Sequence, residues 1–126
     1  MITEDYVSFK IAKLLKEKGF NECCRAFRSP SGKLFYSSHD IKNFEDGKTL
    51  GAAIAAPTLQ MAMKWLRIIH NTNIDIVSVW NQKRFEYQVF VVTPENAKNC
   101  YIDNKLYLVH EEAVEAAIIY CLEHLI

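Results

Sequence analysis

Ala56-Pro57-Thr58-Leu59-Gln60-Met61-Ala62-Met63-Lys64-Trp65-Leu66-Arg67-Ile68-Ile69-His70-Asn71 is the stretch around which the rest of the chain is arranged. Pro57 suits a helix entry, because its φ is preset and its missing N–H has no partner to lose there. Thr58 supplies the side-chain oxygen for a cap. At 100° per residue, Gln60, Lys64, Arg67 and Asn71 fall into one narrow polar stripe. Leu59, Ala62, Leu66 and Ile69 make one apolar flank, and Met61, Trp65 and Ile68 the other. A helix apolar over most of its circumference is expected to be covered on more than one side, as a central or a subunit-contact helix. His70 falls in its last turn, where the dipole favours a cation, so it reads as a capping residue.

Downstream of Asn71-Thr72-Asn73 the apolar period changes from helical to two. Ile74, Ile76, Ser78 and Trp80 face one way, and Asp75, Val77 and Val79 the other. Beyond Asn81-Gln82-Lys83, the segment Arg84 to Thr93 puts Phe85, Tyr87, Val89 and Val91 on one face. This is the strongest strand pair in the sequence. Pro94 ends it, Asn96 to Lys105 reads as a loop, and Leu106-Tyr107-Leu108-Val109 as a short last strand. A terminal helix starts at His110-Glu111-Glu112, with its acidic residues where the dipole favours them. Val114, Ala117, Ile118, Cys121 and Leu125 form its inner stripe, while Ile119 is stranded among Glu112, Glu115 and Glu123.

Upstream, Ser8 caps a first helix whose inner stripe is Ile11, Leu14 and Leu15. Gly19 ends it in the left-handed conformation with Phe20 folded back on the last turn. Cys23 to Arg28 and Lys33 to Ser37 read as a hairpin across Ser29-Pro30-Ser31-Gly32, which has type I turn chemistry. Ser38 to Gly51 is polar and aperiodic, and is read as a long loop. The expected architecture is one α+β domain over residues 1–126: an antiparallel sheet of four or five strands with three helices, in the order α-β-β-α-β-β-(β)-α.

Three stretches carry a resemblance: Tyr6-Val7-Ser8-Phe9 through Gly19-Phe20, Ala56-Pro57-Thr58-Leu59 through Leu66-Arg67, and Glu112-Ala113-Val114-Glu115 through Leu122-Glu123. Together they resemble a family of short uncharacterised proteins encoded by gut anaerobes and their bacteriophages. The central block is the specific part, and the resemblance lies wholly in the three helices. It implies an accessory, phage-linked, cytoplasmic protein. The family has no assigned activity, so no functional residues carry over.

Composition narrows the classes. The chain has 126 residues, half of them apolar, and a formal net charge of zero. That length buries enough surface to fold without disulfide or metal. The neutral balance argues against a dedicated duplex-DNA or membrane-surface binder, and it removes repulsion between copies. No basic stretch precedes an apolar core at the N-terminus, and no apolar run approaches membrane-spanning length. A cytoplasmic protein without membrane attachment is the expectation. Cys23, Cys24, Cys100 and Cys121 include no Cys-x-x-Cys, so they read as reduced thiols.

No stretch rises to a catalytic motif. His39-Asp40 beside Cys23 or Cys24 would make a nucleophile and base only if folding brought them together. His110, Glu111, Glu112 and His124 lack the i, i+4 histidine pair of a helical zinc site, and capping explains His110 better. No glycine-rich phosphate loop occurs. The expectation is therefore no catalytic residue, no metal and no cofactor. The favoured reading is a non-enzymatic interaction protein, forming a homodimer through the last helix with Ile119, Glu115, Glu123 and Ile126 at the contact. The alternative is a single-stranded nucleic-acid binder using Trp80, Lys83, Arg84 and Tyr87, since aromatics beside cations can stack bases.

Overall fold

The computed structural model describes residues 2–41, 53–91, 99–102 and 105–126, with only the backbone of 39–41, 99–100 and 102. The protein is α+β, with antiparallel sheets and, among the described residues, three α-helices and six strands. In chain order these are α1 (Phe9–Glu17), β1 (Cys24–Arg28), β2 (Leu34–Ile41), β3 (Ile54–Ala55), α2 (Leu59–His70), β4 (Thr72–Val79), β5 (Arg84–Val91), β6 (Asn99–Ile102) and α3 (His110–Tyr120). A π-helical turn, Cys121–Leu125, continues α3. Residues Met1–Met61 and Ala62–Ile126 form two compact units.

In the first unit the helix punctuation follows the sequence. Ser8 Oγ accepts from the Ile11 N–H at 3.3 Å, closing the N-terminus of α1. Gly19 has φ +94°, and the N–H groups of Phe20 and Gly19 reach back to Leu15 and Lys16 at 2.9 and 3.1 Å. That 6→1 and 5→2 pattern is a Schellman motif. The turn is also as expected: Gly32 N–H donates to Ser29 O at 2.8 Å. Arg28, next to that turn, donates from Nη1 to Gly32 O at 2.9 Å and from Nε to Val7 O at 3.0 Å. It thereby ties the hairpin to the segment entering α1. Val7, Ile11, Leu15, Phe20, Ala26 and Phe27 are fully or almost fully buried.

Two expectations for this unit are corrected. The second strand does not stop at Ser37 but continues to Ile41, so Ser38 to Gly51 is not all loop; residues 42–51 lie outside the described ones. The register steps between Cys24 and Ala26, which leaves Ser37 to Asp40 opposite Arg25 alone, and this irregularity hides the strand's period. Ile54–Ala55, in what reads as an apolar run, pairs with Phe27 and Arg28 as a third strand. The sheet order is β2-β1-β3.

In the second unit β4 and β5 pair without interruption from Thr72↔Val91 to Val79↔Arg84. The third strand is β6, inside the expected loop, paired with β5 from Val91↔Asn99 to Gln88↔Ile102. Leu106 to Val109 is not a strand; only Tyr107 bridges, to Phe85. The order β4-β5-β6 is a meander, so the described residues form two three-stranded sheets rather than one of four or five strands. In one unit the first strand in sequence is central and in the other the second, so the units are not copies of one motif. Helix α3 packs on β4 and β5 and buries Ala113, Val114, Ala117 and Ile118, against a sheet that buries Ile74, Tyr87 and Val89.

Helix α2 has the expected cap, Met61 N–H to Thr58 Oγ1 at 3.1 Å, and the expected polar stripe, with Gln60, Lys64, Arg67 and Asn71 all exposed. Its apolar circumference is covered less than expected: Leu59, Ala62, Trp65 and Leu66 are buried, but Met61, Ile68 and Ile69 are exposed. The last helix also departs from expectation. At Cys121 the ladder widens to a π turn, each residue advances by less than the α-helical angle, and Leu122 takes the core position. Leu125 is correspondingly exposed.

Candidate functional site

The hairpin end of the second unit exposes a large aromatic side chain, Trp80, on a hydrogen-bonded turn. Gln82 N–H donates to Val79 O at 3.0 Å and Lys83 N–H to Trp80 O at 3.4 Å, so the connection is two overlapping turns. Lys83 has φ +52°, which lets the chain re-enter β5. Arg84 Nη1 folds back onto Lys83 O at 3.1 Å and Gln82 O at 3.4 Å, neutralising carbonyls the turn leaves outward. On this braced turn Trp80 is 85% exposed. A Trp ring is the largest apolar surface a side chain offers, and in water it has a standing gain from being covered.

A second chain segment reaches the same end of the sheet. Phe85 and Tyr107 exchange both backbone hydrogen bonds, at 2.8 and 2.7 Å. The chain beyond Tyr107 then carries Leu108, 63% exposed, and Val109, 41% exposed, into the start of α3. His110 is held there by an edge-to-face contact with Phe85 at 5.5 Å, so it is a packing residue rather than a cap. Lys83 is exposed, and Glu111 and Glu112 lie in the first turn of α3, so the apolar residues are bordered by both signs of charge.

The structure separates the residues singled out from the sequence. Trp80, Lys83 and Arg84 share the turn, but Tyr87 is 3% exposed and offers no ring to a ligand. It sits among Tyr101, Tyr107 and Tyr120 at 6.0, 6.3 and 6.4 Å, and Tyr101 stacks on Tyr120 at 3.9 Å and 9°. His124 extends this cluster against Tyr120 at 4.9 Å. Burial, and then Tyr101 and Cys121, push the Tyr120 phenol above its usual value. On α3 and the π turn, Ile119, Glu115 and Ile126 are half-buried and Glu123 is exposed, so the expected helix contact offers less free apolar surface than the hairpin end. Leu108 and Val109 were not singled out by the sequence, because a strand reading turns one of every two residues inward.

The thiols and histidines assemble no reactive centre among the described residues. No three His, Cys, Asp or Glu side chains converge as a metal site. Cys24 is buried, with Sγ 3.7 Å from Glu22 O, and the His39 side chain lies outside the described residues. His70 packs edge-on to Trp65 at 4.6 Å, and its Nε2 is buried without a hydrogen-bond partner among the described residues. A cleft of about 360 Å³ at the end of α2 is lined by Arg67, Asn71, Thr72 and Asn73, a set with no His, Cys, Asp or Glu to activate the Thr72 hydroxyl, which donates to His70 O at 3.0 Å.

Cys121 is fully buried, and that burial pushes its thiol from 9.0 up to about 12. The raised value means the folded state binds a proton that the unfolded state releases above about 9, so this contribution to stability is complete below that pH and is lost towards 12. Exposed Cys23 is expected to react with a thiol reagent at pH 8, while Cys121 stays unlabelled until the protein is unfolded. Peptide mapping reads this directly. Labelling of both at equal rates would show that the terminal turn is not packed as described.

No family model, curated protein or solved structure matches the chain. Among the described residues no helix is long and apolar enough to cross a membrane. Its own side chains therefore carry the functional reading.

Proposed function

We propose that this protein is a non-enzymatic interaction protein whose contact surface is the hairpin end of the second unit. The observation that carries the reading is Trp80, 85% exposed on a turn braced by its own hydrogen bonds and by Arg84. Interfaces draw most of their affinity from a few aromatic and arginine anchors, and a rigid turn keeps the entropy of ordering them low. Leu108 and Val109, exposed beyond the Tyr107 bridge on the far side of β5, add apolar surface at the same end of the sheet, and exposed Lys83 adds a cation. The resemblance to proteins of gut anaerobes and their phages supports placing it as an accessory protein of a mobile element, acting in the cytoplasm. A homodimer is the simplest assembly for a chain with no net charge.

Light scattering at micromolar concentration tests this. The unmodified protein is expected as a dimer, and Trp80→Ala as a folded monomer with an unchanged circular dichroism spectrum, because the exposed ring makes little contribution to the fold of the single chain. Ile119→Glu is the parallel variant for a contact through α3. Dissociation by Ile119→Glu with Trp80→Ala still dimeric would return the contact to Ile119, Glu115, Glu123 and Ile126. A monomer in the unmodified protein would remove the dimer.

A second reading has one specific observation behind it. The Trp80 ring stands free next to Lys83 and Arg84, which is the pairing used to stack a base and hold its phosphate. With two cations at the turn, retention on single-stranded DNA should fall with a log–log salt slope of about −1.4. Retention insensitive to salt, or unchanged in Trp80→Ala, would eliminate it.

A further inference from the structure

We infer that the outer edge of β4 pairs antiparallel with the same edge of a second copy of this chain, about a two-fold axis at Ile76. This rests on the interaction reading above and names the partner.

Strand β4 is the outer strand of its sheet, and its eight residues run in unbroken register with β5. Among the described residues no strand lies on its other side. Such an edge presents a row of unpaired N–H and C=O groups, and folded proteins usually blunt it with Pro, Lys, a bulge or a short strand. Thr72-Asn73-Ile74-Asp75-Ile76-Val77-Ser78-Val79 uses none of these, and five of its eight residues are β-branched. Its one charge, Asp75, is engaged along the strand by Asn73 Nδ2 at 3.0 Å. The opposite edge differs: β6 has only four residues.

Symmetry then selects the occupant and the register. Facing residues of an antiparallel pair lie on the same side of the sheet, and side chains alternate, so a strand pairs with its own copy only about a residue. Only centres at Asp75 and Ile76 keep nearly all of the eight-residue strand paired with its copy, and centring on Asp75 would set two carboxylates opposite each other, which destabilises. Centring on Ile76 sets Ile76 against the partner's Ile76 and Ile74 against the partner's Ser78, with no like charges facing. It also lays Trp80 alongside the partner's Thr72. Trp80 lies in the turn one residue past β4 and Thr72 is itself buried, so the contact that satisfies the strand edge brings the exposed ring to the rim of an isologous interface. The zero net charge leaves no long-range repulsion against it.

Cysteine cross-linking tests both partner and register. In a Cys23→Ser background, Ile76→Cys places two thiols on Cα atoms about 4.5–5.5 Å apart across the axis, within disulfide reach. Val79→Cys, whose facing residue is the partner's Asn73, does not. After mild oxidation of the purified full chain, Ile76→Cys should give at least about tenfold more covalent dimer than Val79→Cys. Equal cross-linking of the two, or none from a folded Ile76→Cys protein, overturns the inference. Should Ile76→Cys fail to fold, hydrogen exchange on the unmodified protein decides: amides of 72–79 should gain protection with concentration, and flat protection overturns the pairing. Failure here with Trp80→Ala still dissociating the dimer removes the edge pairing and keeps the contact surface. A cross-link at position 76 with Trp80→Ala still dimeric keeps the pairing and removes Trp80 as its anchor.

Discussion

Trp65→Ala should cost about 3–5 kcal/mol, a large share of the 5–15 typical of a domain. Trp65 is almost fully buried on α2 and holds the His70 ring edge-on at 4.6 Å. Removing the indole opens a cavity and leaves that histidine, whose Nε2 has no hydrogen-bond partner among the described residues, without its packing neighbour. Lys64→Ala, one residue away on the exposed polar stripe, should change stability by no more than about 0.5 kcal/mol. Chemical denaturation of the two variants measures the difference. Similar midpoints would mean that the faces of α2 are assigned wrongly.

The second large effect concerns the end of the chain. Leu122→Ala should cost about 2–5 kcal/mol and Leu125→Ala no more than about 0.5, because Leu122 is fully buried and Leu125 exposed. A regular α-helix would carry the stripe of Val114, Ala117, Ile118 and Cys121 on to Leu125. The π turn at Cys121–Leu125 reverses the two leucines. Thermal melts of the pair therefore report the helix type as well as the burial. A larger loss for Leu125→Ala would show that α3 continues as an α-helix to its end.

These cases show where residue pattern reaches its limit. Local signals were readable because their causes are local: Ser8, Gly19 with Phe20, Thr58, and the Ser29 to Gly32 turn each act through hydrogen bonds within a few residues. The alternation in β4 and β5 was readable because one face is buried under α3. Ile54–Ala55 was not, since two residues have no period and become a strand only by pairing with Phe27 and Arg28. The same holds for Asn99–Ile102, whose composition is that of a loop and whose structure comes from β5. Whether six strands make one sheet or two is likewise a matter of pairing, which alternation does not encode. At the candidate site, Trp80, Lys83 and Arg84 are neighbours in sequence and were found together. Tyr87 was misplaced because the tyrosines that bury it come from β6, the Tyr107 bridge and α3.

The chain contains two tryptophans, one buried and one at the hairpin tip, so Trp80 can be observed alone in a Trp65→Phe background. Its emission and acrylamide quenching, followed across a dilution series with the helical circular dichroism held constant, report whether the ring is covered by a contact. The expected result is blue-shifted, poorly quenched emission in concentrated protein, passing to fully hydrated emission on dilution. Fully hydrated, freely quenched emission at every concentration would contradict Trp80 as the anchor of a self-contact.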